Sequence, residues 1–387
     1  MALFNKDAKS FIKLISIICF LQISALNGQL RVGFYSESCH NVESIVSSMV
    51  KEASQREPRM PAILLRLHFH DCFVQGCDGS ILIDNVKEAE KNAFGHEGLG
   101  GFAEIQKAKT QLEVQCPGVV SCADIVALAA RDAVVMAGGE SYEVETGRRD
   151  GRVSDLSFAS KMPDVDDSIE VLKEKFKTKG FSEKDLVTLS GAHTIGTTAC
   201  FFMPKRLYNF TGKSDADPSI NPKFLSELRS KCPKNGDVNV RISLDNLSER
   251  KFDDQIMHNI KNGFAVIASD ARLYDDNATR AVVDSYLEIT EKLNPNSSSF
   301  GTDFGLAMVK LGRLEVKTGL LGEIRKFFQS LVTSDVFFEP RADFSPQGTS
   351  NKKVNSNFKT SIVKITIRFN IHAIFNSLYF ISNLFYM

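Results

Sequence analysis

The run Leu64-Leu65-Arg66-Leu67-His68-Phe69-His70-Asp71-Cys72 and the loop Phe73-Val74-Gln75-Gly76-Cys77-Asp78-Gly79-Ser80 after it constrain this chain more than any other stretch. Read as a helix, the first half sets Arg66 and His70 four residues apart on one face and turns His68 elsewhere. A guanidinium beside a neutral imidazole can take up a proton and stabilise developing negative charge at one point. A capping arginine and a core histidine share that spacing. The second half packs two carboxylates, a hydroxyl and flexible glycines into a short loop, the hard oxygen ligands that suit Ca²⁺. The spacing is not that of an EF-hand, and a solvated acidic loop has the same composition. Cys72 and Cys77 are near enough in sequence to close a small disulfide, geometry allowing.

The compartment is read from the N-terminus. Lys6, Lys9 and Lys13 precede an apolar run, Leu14 to Leu26, and small and polar residues follow near Gly28. That is the order of a secretory signal peptide, and the run is short for a membrane span. Cleavage near Gln29 removes Cys19 and leaves seven of the eight cysteines. Sequons beginning at Asn209, Asn246, Asn277 and Asn296 fit secretion. The chain carries 47 basic and 47 acidic side chains, a balance that argues against nucleic acid and against a polybasic membrane-surface role. After about Lys326 periodicity fades into Ser, Asn, Lys and Pro. Ile371 to Met387 is apolar, but Asn376 and Asn383 interrupt it, so it makes a poor membrane span. The reading is a signal peptide over 1–28, one domain over 29–326 and a C-terminal extension over 327–387. The extension is read as disordered or removed, as a sorting propeptide or as a mistranslated gene end.

Between the ends the pattern is mainly helical. Asn41 to Arg56 and Phe102 to Val114 place apolar residues on one face, and Ser121 with Asp124 opens a helix that Gly138-Gly139 stops. Ser182 with Asp185 opens another, and helical periodicity covers 168–179, 222–230, 253–265, 279–292 and 299–311. Strand signals are few, as at Tyr142 to Thr146. A second histidine motif, Leu189-Ser190-Gly191-Ala192-His193-Thr194-Ile195-Gly196, has small residues before His193 that would let a bulky planar group approach the backbone. A lone histidine there equally suits a core.

Taken together, these stretches resemble the secreted plant (class III) haem peroxidases. The likeness runs from Gln29 to Arg325. It includes Val119-Val120-Ser121-Cys122-Ala123-Asp124-Ile125, Gly147-Arg148-Arg149-Asp150, Arg206-Leu207-Tyr208-Asn209-Phe210, Leu244-Asp245 with Phe252-Asp253, and Ala307-Met308-Val309-Lys310. The resemblance implies a mainly α, two-lobed fold with one haem b between the lobes and two Ca²⁺ ions. His70 matches the distal histidine that moves a proton between the oxygens of hydrogen peroxide. Arg66 matches the distal arginine that stabilises charge on the breaking O–O bond, and Phe69 the aromatic residue that shields the reacting oxygen. His193 matches the proximal iron ligand, and Asp270 the carboxylate that takes the ligand's other N–H, making it more electron-donating. Asp71, Asp78, Ser80 and the backbone oxygens of Val74 and Gly76 match the distal Ca²⁺ site, with Glu90 outside them. Thr194, Asp245, Ser248 and Asp253 match the proximal one. Pro163 and Phe202 match the exposed haem edge where small phenolic donors bind. The implied disulfides are Cys39–Cys116, Cys72–Cys77 and Cys200–Cys232.

Four departures stand out. His96 occupies the place of an asparagine that accepts a hydrogen bond from the distal histidine. Protonation of His96 near the ordinary imidazole pKa of about 6.5 would end that, so activity is expected to fall more steeply at acid pH than is the norm in that family. The family's last cysteine is missing, with Phe328 in its place, which leaves Cys122 without a partner. Tyr142 replaces a tryptophan, leaving the chain with none. His40 and Glu249 replace prolines, the latter beside Ser248.

The implied function is a secreted, monomeric haem peroxidase of the extracellular space or cell wall, or of the vacuole if the extension sorts it there. It would reduce hydrogen peroxide and oxidise small phenols one electron at a time. One rival is a non-catalytic, Ca²⁺-stabilised homologue that binds cell-wall material. Another, a metallohydrolase using His68, His70 and Asp71, fails because adjacent helix positions do not converge on one metal.

Overall fold

The computed structural model describes residues 30–84, 88–208, 210–211, 214–290 and 298–327. The leader, the extension from Phe328 onward and the sequons at Asn209 and Asn296 lie outside the described residues. Asn277 is exposed and Asn246 half-buried.

In chain order come β1 (Arg31–Val32), α1 (Val42–Arg56), α2 (Met60–Gln75), α3 (Phe102–Gln115), α4 (Cys122–Met136) and β2 (Glu145–Thr146). Then follow α5 (Ile169–Thr178), α6 (Glu183–Ser190), β3 (Thr197–Ala199), α7 (Pro204–Tyr208), α8 (Pro222–Lys231) and β4 (Arg241–Ser243). The series ends with α9 (Gln255–Asn262), α10 (Ala268–Arg272), α11 (Asn277–Thr290) and α12 (Phe300–Leu311). The only sheets among the described residues are two antiparallel pairs, β1 with β2 and β3 with β4.

Several helices begin where short polar side chains cap them. Ser121 Oγ accepts from Asp124 N, and Ser182 and Asp185 form a reciprocal capping box. Ser168 and Ser299 cap α5 and α12 in the same way. Three expectations change. The pattern over 253–265 yields only Gln255–Asn262, because Gly263 ends it at φ 77°. The strand signal at Tyr142–Thr146 reduces to two paired residues. The short α7, α10, β3 and β4 have no counterpart in the periodicity.

α2 is the axis of the fold. Leu64 and Leu67 belong to a cluster with Val46, Ile105, Leu112 and Ile125, while Leu65 and Phe73 belong to another with Leu186, Ile256, Phe300 and Phe304. Both clusters thus share one helix, and α2 is buried on nearly every face. A third, smaller cluster packs α7 and α8 under β4 through Leu207, Phe224, Leu228 and Ile242. Truncating any one of these buried leucines to alanine is expected to cost about 2–5 kcal/mol. The Gly147–Asp150 motif is structural: Arg148 pairs with Asp124 at 2.8 Å and donates to Gly312 O, while Asp150 accepts from Ala123 N.

All three implied disulfides are present, and Cys122 is a buried free thiol.

Candidate active site

Because α2 is nearly all buried, its few side chains that reach open space mark the site. Pro61 starts the helix and Gly76, at φ 96°, ends it; no Gly or Pro interrupts it between. Arg66 is partly buried and His70 is buried one turn later. His68 does point elsewhere: it is buried against Cys72, its Nδ1 lying 3.5 Å from Sγ. Phe69 stacks on Phe73 with centroids 5.0 Å apart.

Electrostatics fix the protonation states. Burial holds His70 well below the ordinary imidazole range, aided by Arg66, so the ring is neutral and keeps a lone pair that can receive a proton. Burial and the neighbouring Arg241 push Arg66 down to about 10, which leaves it cationic at neutral pH. His96 approaches His70 edge-on, centroids 4.9 Å apart, but no hydrogen bond joins them. His70 Nδ1 and both nitrogens of His96 are buried without hydrogen-bond partners. The expected acceptor role is therefore not realised in this geometry. The expected titration changes as well, because burial and Arg66 lower His96 to about 4, so it stays neutral well below pH 6.5.

His193 lies on the 3₁₀ turn Gly191–Thr194 that closes α6. Its Nδ1 meets Asp270 Oδ1 at 2.9 Å, and Asp270 is buried on α10. Burial opposes the charged ring, yet the attraction and hydrogen bond of Asp270 together raise the His193 pKa. With Nδ1 engaged, Nε2 is the nitrogen left for a metal, and the side chain keeps 37% of its surface accessible within the fold. Gly191 has a different role from the one expected: a Cβ there would sit 2.4 Å from the Phe300 ring, so its smallness admits α12, not a planar ligand. Gly196, at φ 99°, brings this segment against Ala62, one turn ahead of Arg66.

The distal acidic loop brings its carboxylates and the Ser80 hydroxyl close together. Asp71 Oδ2 accepts from Gly79 N at 3.0 Å, Asp78 Oδ1 from Ser80 N, and Ser80 Oγ donates to Glu90. Lys317 pairs with Asp78. Burial, then the mutual repulsion with Asp78, raises Asp71; burial, then Asp71 and Asp78, pushes Glu90 up to about 9. Glu90 Oε1 has no hydrogen-bond partner and lies 4.0 Å from His96 Nδ1. Closely packed buried carboxylates, so poorly compensated, fit a Ca²⁺ ion.

On the proximal side Thr194 Oγ1 and Ser248 Oγ approach Asp253 Oδ1 at 3.3 and 2.9 Å. Asp245 Oδ1 accepts from Leu247 and Ser248 N, and its Oδ2 has no partner. The Lys251 carbonyl, 3.4 Å from Thr194 Oγ1, joins them and was not anticipated; backbone oxygens leave no mark in side-chain identity. Glu249 reaches Ser243 and leaves Ser248 on Asp253. Pro163 and Phe202 are both half-buried, after the Leu156–Lys161 turn and in the Cys200–Phe202 turn.

Comparison with known proteins places the whole chain, not its single residues, among relatives. A peroxidase family profile matches residues 46–288. The chain is 59% identical to Peroxidase 43 of Arabidopsis thaliana over 321 residues, which cover 83% of this chain and 97% of that one. It is 55% identical to Peroxidase 13 of the same plant, over 79% of this chain and 93% of that one. It is 48% identical to Peroxidase N1 of Nicotiana tabacum, over 81% and 94%.

Proposed function

Since the chain belongs to the class III plant peroxidase family, we propose that it binds one haem b and two Ca²⁺ ions and uses hydrogen peroxide to oxidise small phenols. The reading assigns catalysis to residues 29–326 of a secreted monomer in the extracellular space or cell wall; a sorting role for 327–387 would redirect it to the vacuole. Support for secretion lies in the leader-like N-terminus and the sequons, and no described helix is long and apolar enough to cross a membrane.

The observation that carries the reading is the pairing of a neutral His70 and a cationic Arg66 on α2 with His193, whose Nδ1 is held by Asp270. Bound haem supplies an iron at which peroxide is reduced by two electrons and from which donors are oxidised singly. His193 Nε2 would hold it. Asp270 fixes the tautomer, keeps that lone pair available and makes the imidazole a stronger donor. His70 Nε2 takes the proton from one peroxide oxygen and returns it to the departing one. Arg66 stabilises the charge that grows on that oxygen, and Phe69 excludes water. Asp71, Val74, Gly76, Asp78 and Ser80, with Glu90 behind, would hold the distal Ca²⁺. Thr194, Asp245, Ser248 and Asp253 would hold the other, next in sequence to His193. Pro163 and Phe202 border the donor approach.

The test is a spectrum of the secreted protein loaded with haem. A Soret band that shifts on adding peroxide is expected, and His70→Ala should slow that shift about 10³-fold. A stable protein that takes up no haem would overturn the reading. No observation favours the non-catalytic alternative.

A further inference from the structure

The rim above Arg66 carries a feature that peroxide reduction does not use. Arg241, on β4 opposite Ala199, donates from Nε to Thr197 Oγ1 at 3.1 Å and from Nη2 to Thr197 O at 2.8 Å. Its Nη1 has no protein partner among the described residues. Arg66 donates only from Nη2, to Glu97 O at 3.2 Å. Both free Nη1 atoms converge on Gly98: the position of a Cβ there lies 4.0 Å from each. Neither guanidinium pairs with a carboxylate among the described residues, whereas nearby Arg59 is neutralised by Glu57 at 2.8 Å. Two uncompensated like charges beside one glycine favour an anion between them.

The same two segments present exposed aromatic rings. Phe94, four residues before Gly98, is 64% exposed and lies edge-on to Phe201, 46% exposed, with centroids 6.1 Å apart. Phe201 N donates to Val238 O on the segment leading into Arg241, so the Phe201 ring and the Arg241 guanidinium share one hairpin, and Phe94 meets that ring from the turn before Gly98. Phe201 in turn meets Phe202 at 5.2 Å. Exposed phenylalanines gain by covering an aromatic face, and the adjacent cations select what that face carries.

We propose that Arg241, together with Phe94 and Phe201, forms a recognition site for aromatic donors that bear a carboxylate, with Arg241 as the residue that sets their preference over neutral donors. The inference rests on the peroxidase reading and names the donor class for that site. The cofactor's own carboxylates are the other source of the same chemistry, and the experiment separates the two.

Haem-loaded protein and its Arg241→Gln and Arg241→Lys variants are titrated calorimetrically with cinnamate and with cinnamyl alcohol, neither of which has a phenol to oxidise. Wild type should bind cinnamate more tightly than the alcohol, by a margin that shrinks as salt is added. Arg241→Gln should lower the ratio of the two affinities about fivefold, and Arg241→Lys should recover part of it. In turnover, the ratio of kcat/KM for 4-hydroxycinnamate to that for 4-hydroxycinnamyl alcohol should fall by a similar factor. An unchanged ratio overturns the proposal, as does a variant that loses haem or shifts its Soret band while weakening both ligands equally. The binding arm needs no turnover, so an inactive protein would sink the peroxidase reading and leave the carboxylate preference to be judged by itself.

Discussion

His70 Nδ1 is a buried hydrogen-bonding atom with nothing to bond, and the side chain next to it, His96, is just as unmet. An unsatisfied buried polar atom costs about 1–3 kcal/mol, and here it leaves the ring proposed to move the proton without a hydrogen bond to orient it. His96→Asn offers a carboxamide oxygen to that N–H. It is expected to raise the rate constant for reaction with peroxide several-fold, read by stopped-flow; an unchanged rate would show that the ring is already held. His68 gives a different test. Burial, then Arg148, keeps it at about 3, against 6.5 in the unfolded chain. As pH drops through that window the unfolded state takes up a proton that the folded state refuses, so stability falls. The loss attributable to His68 should reach a few kcal/mol near pH 3. Denaturant midpoints across pH 7 to 3 should decline less in His68→Leu, and equal slopes would dismiss the argument.

The α2 helix and the turn after α6 were legible in part. The spacing of Arg66 and His70, the caps at Ser121 and Ser182 and the acidic loop all leave local marks, because each depends on residues within a turn of one another. Asp270 does not: it sits on a five-residue helix with no period to detect, and only the family resemblance pointed to it. Gly191 was misread, since the Phe300 ring it accommodates lies more than a hundred residues away. Gly191→Ala should therefore destabilise the protein by about 1–3 kcal/mol in urea melts. If stability is unaffected, the close approach of Phe300 is not what requires glycine there. The acidic loop predicts the effect of calcium removal. Without the ion, folded Glu90 keeps a proton up to about pH 9 that the unfolded chain releases near 4.5. Stability of chelator-treated protein should then fall as pH rises between those values, and added Ca²⁺ should flatten the decline. A chelated protein with a flat profile would refute the assignment of this loop as a cation site.

Two of the core clusters meet on one helix, Leu65 and Phe73 in one and Leu67 in the other, but the described chain's closing segment is secured differently. Arg325 is fully buried: its backbone N donates to Asp150 Oδ2 at 2.9 Å, its Nη1 to Gly151 O at 2.9 Å, and its Nη2 to Gly79 O in the acidic loop. Asp150 Oδ1 also accepts from Ala123 N at the start of α4. This ion pair and its hydrogen bonds thus tie the closing described segment to the acidic loop and to the helix that carries Cys122. Burial, then Asp150, pushes the Cys122 thiol up to about 12, so it is uncharged as well as shielded. A thiol in that state reacts poorly with disulfides and alkylating agents. Arg325 and Asp150 hold this segment in the fold, and removing one partner of such a buried pair costs about 3–5 kcal/mol. Given the proposed removal of the leader with Cys19, the native protein should therefore show no titratable thiol, and the denatured, unreduced protein one per chain, since the six bridged cysteines stay silent. Two thiols would mean that the leader is retained or a bridge is open. None would mean that Cys122 is cross-linked after all, and Arg325→Ala would then lose its expected penalty, because a covalent bond would be holding the segment that the ion pair is assigned to hold.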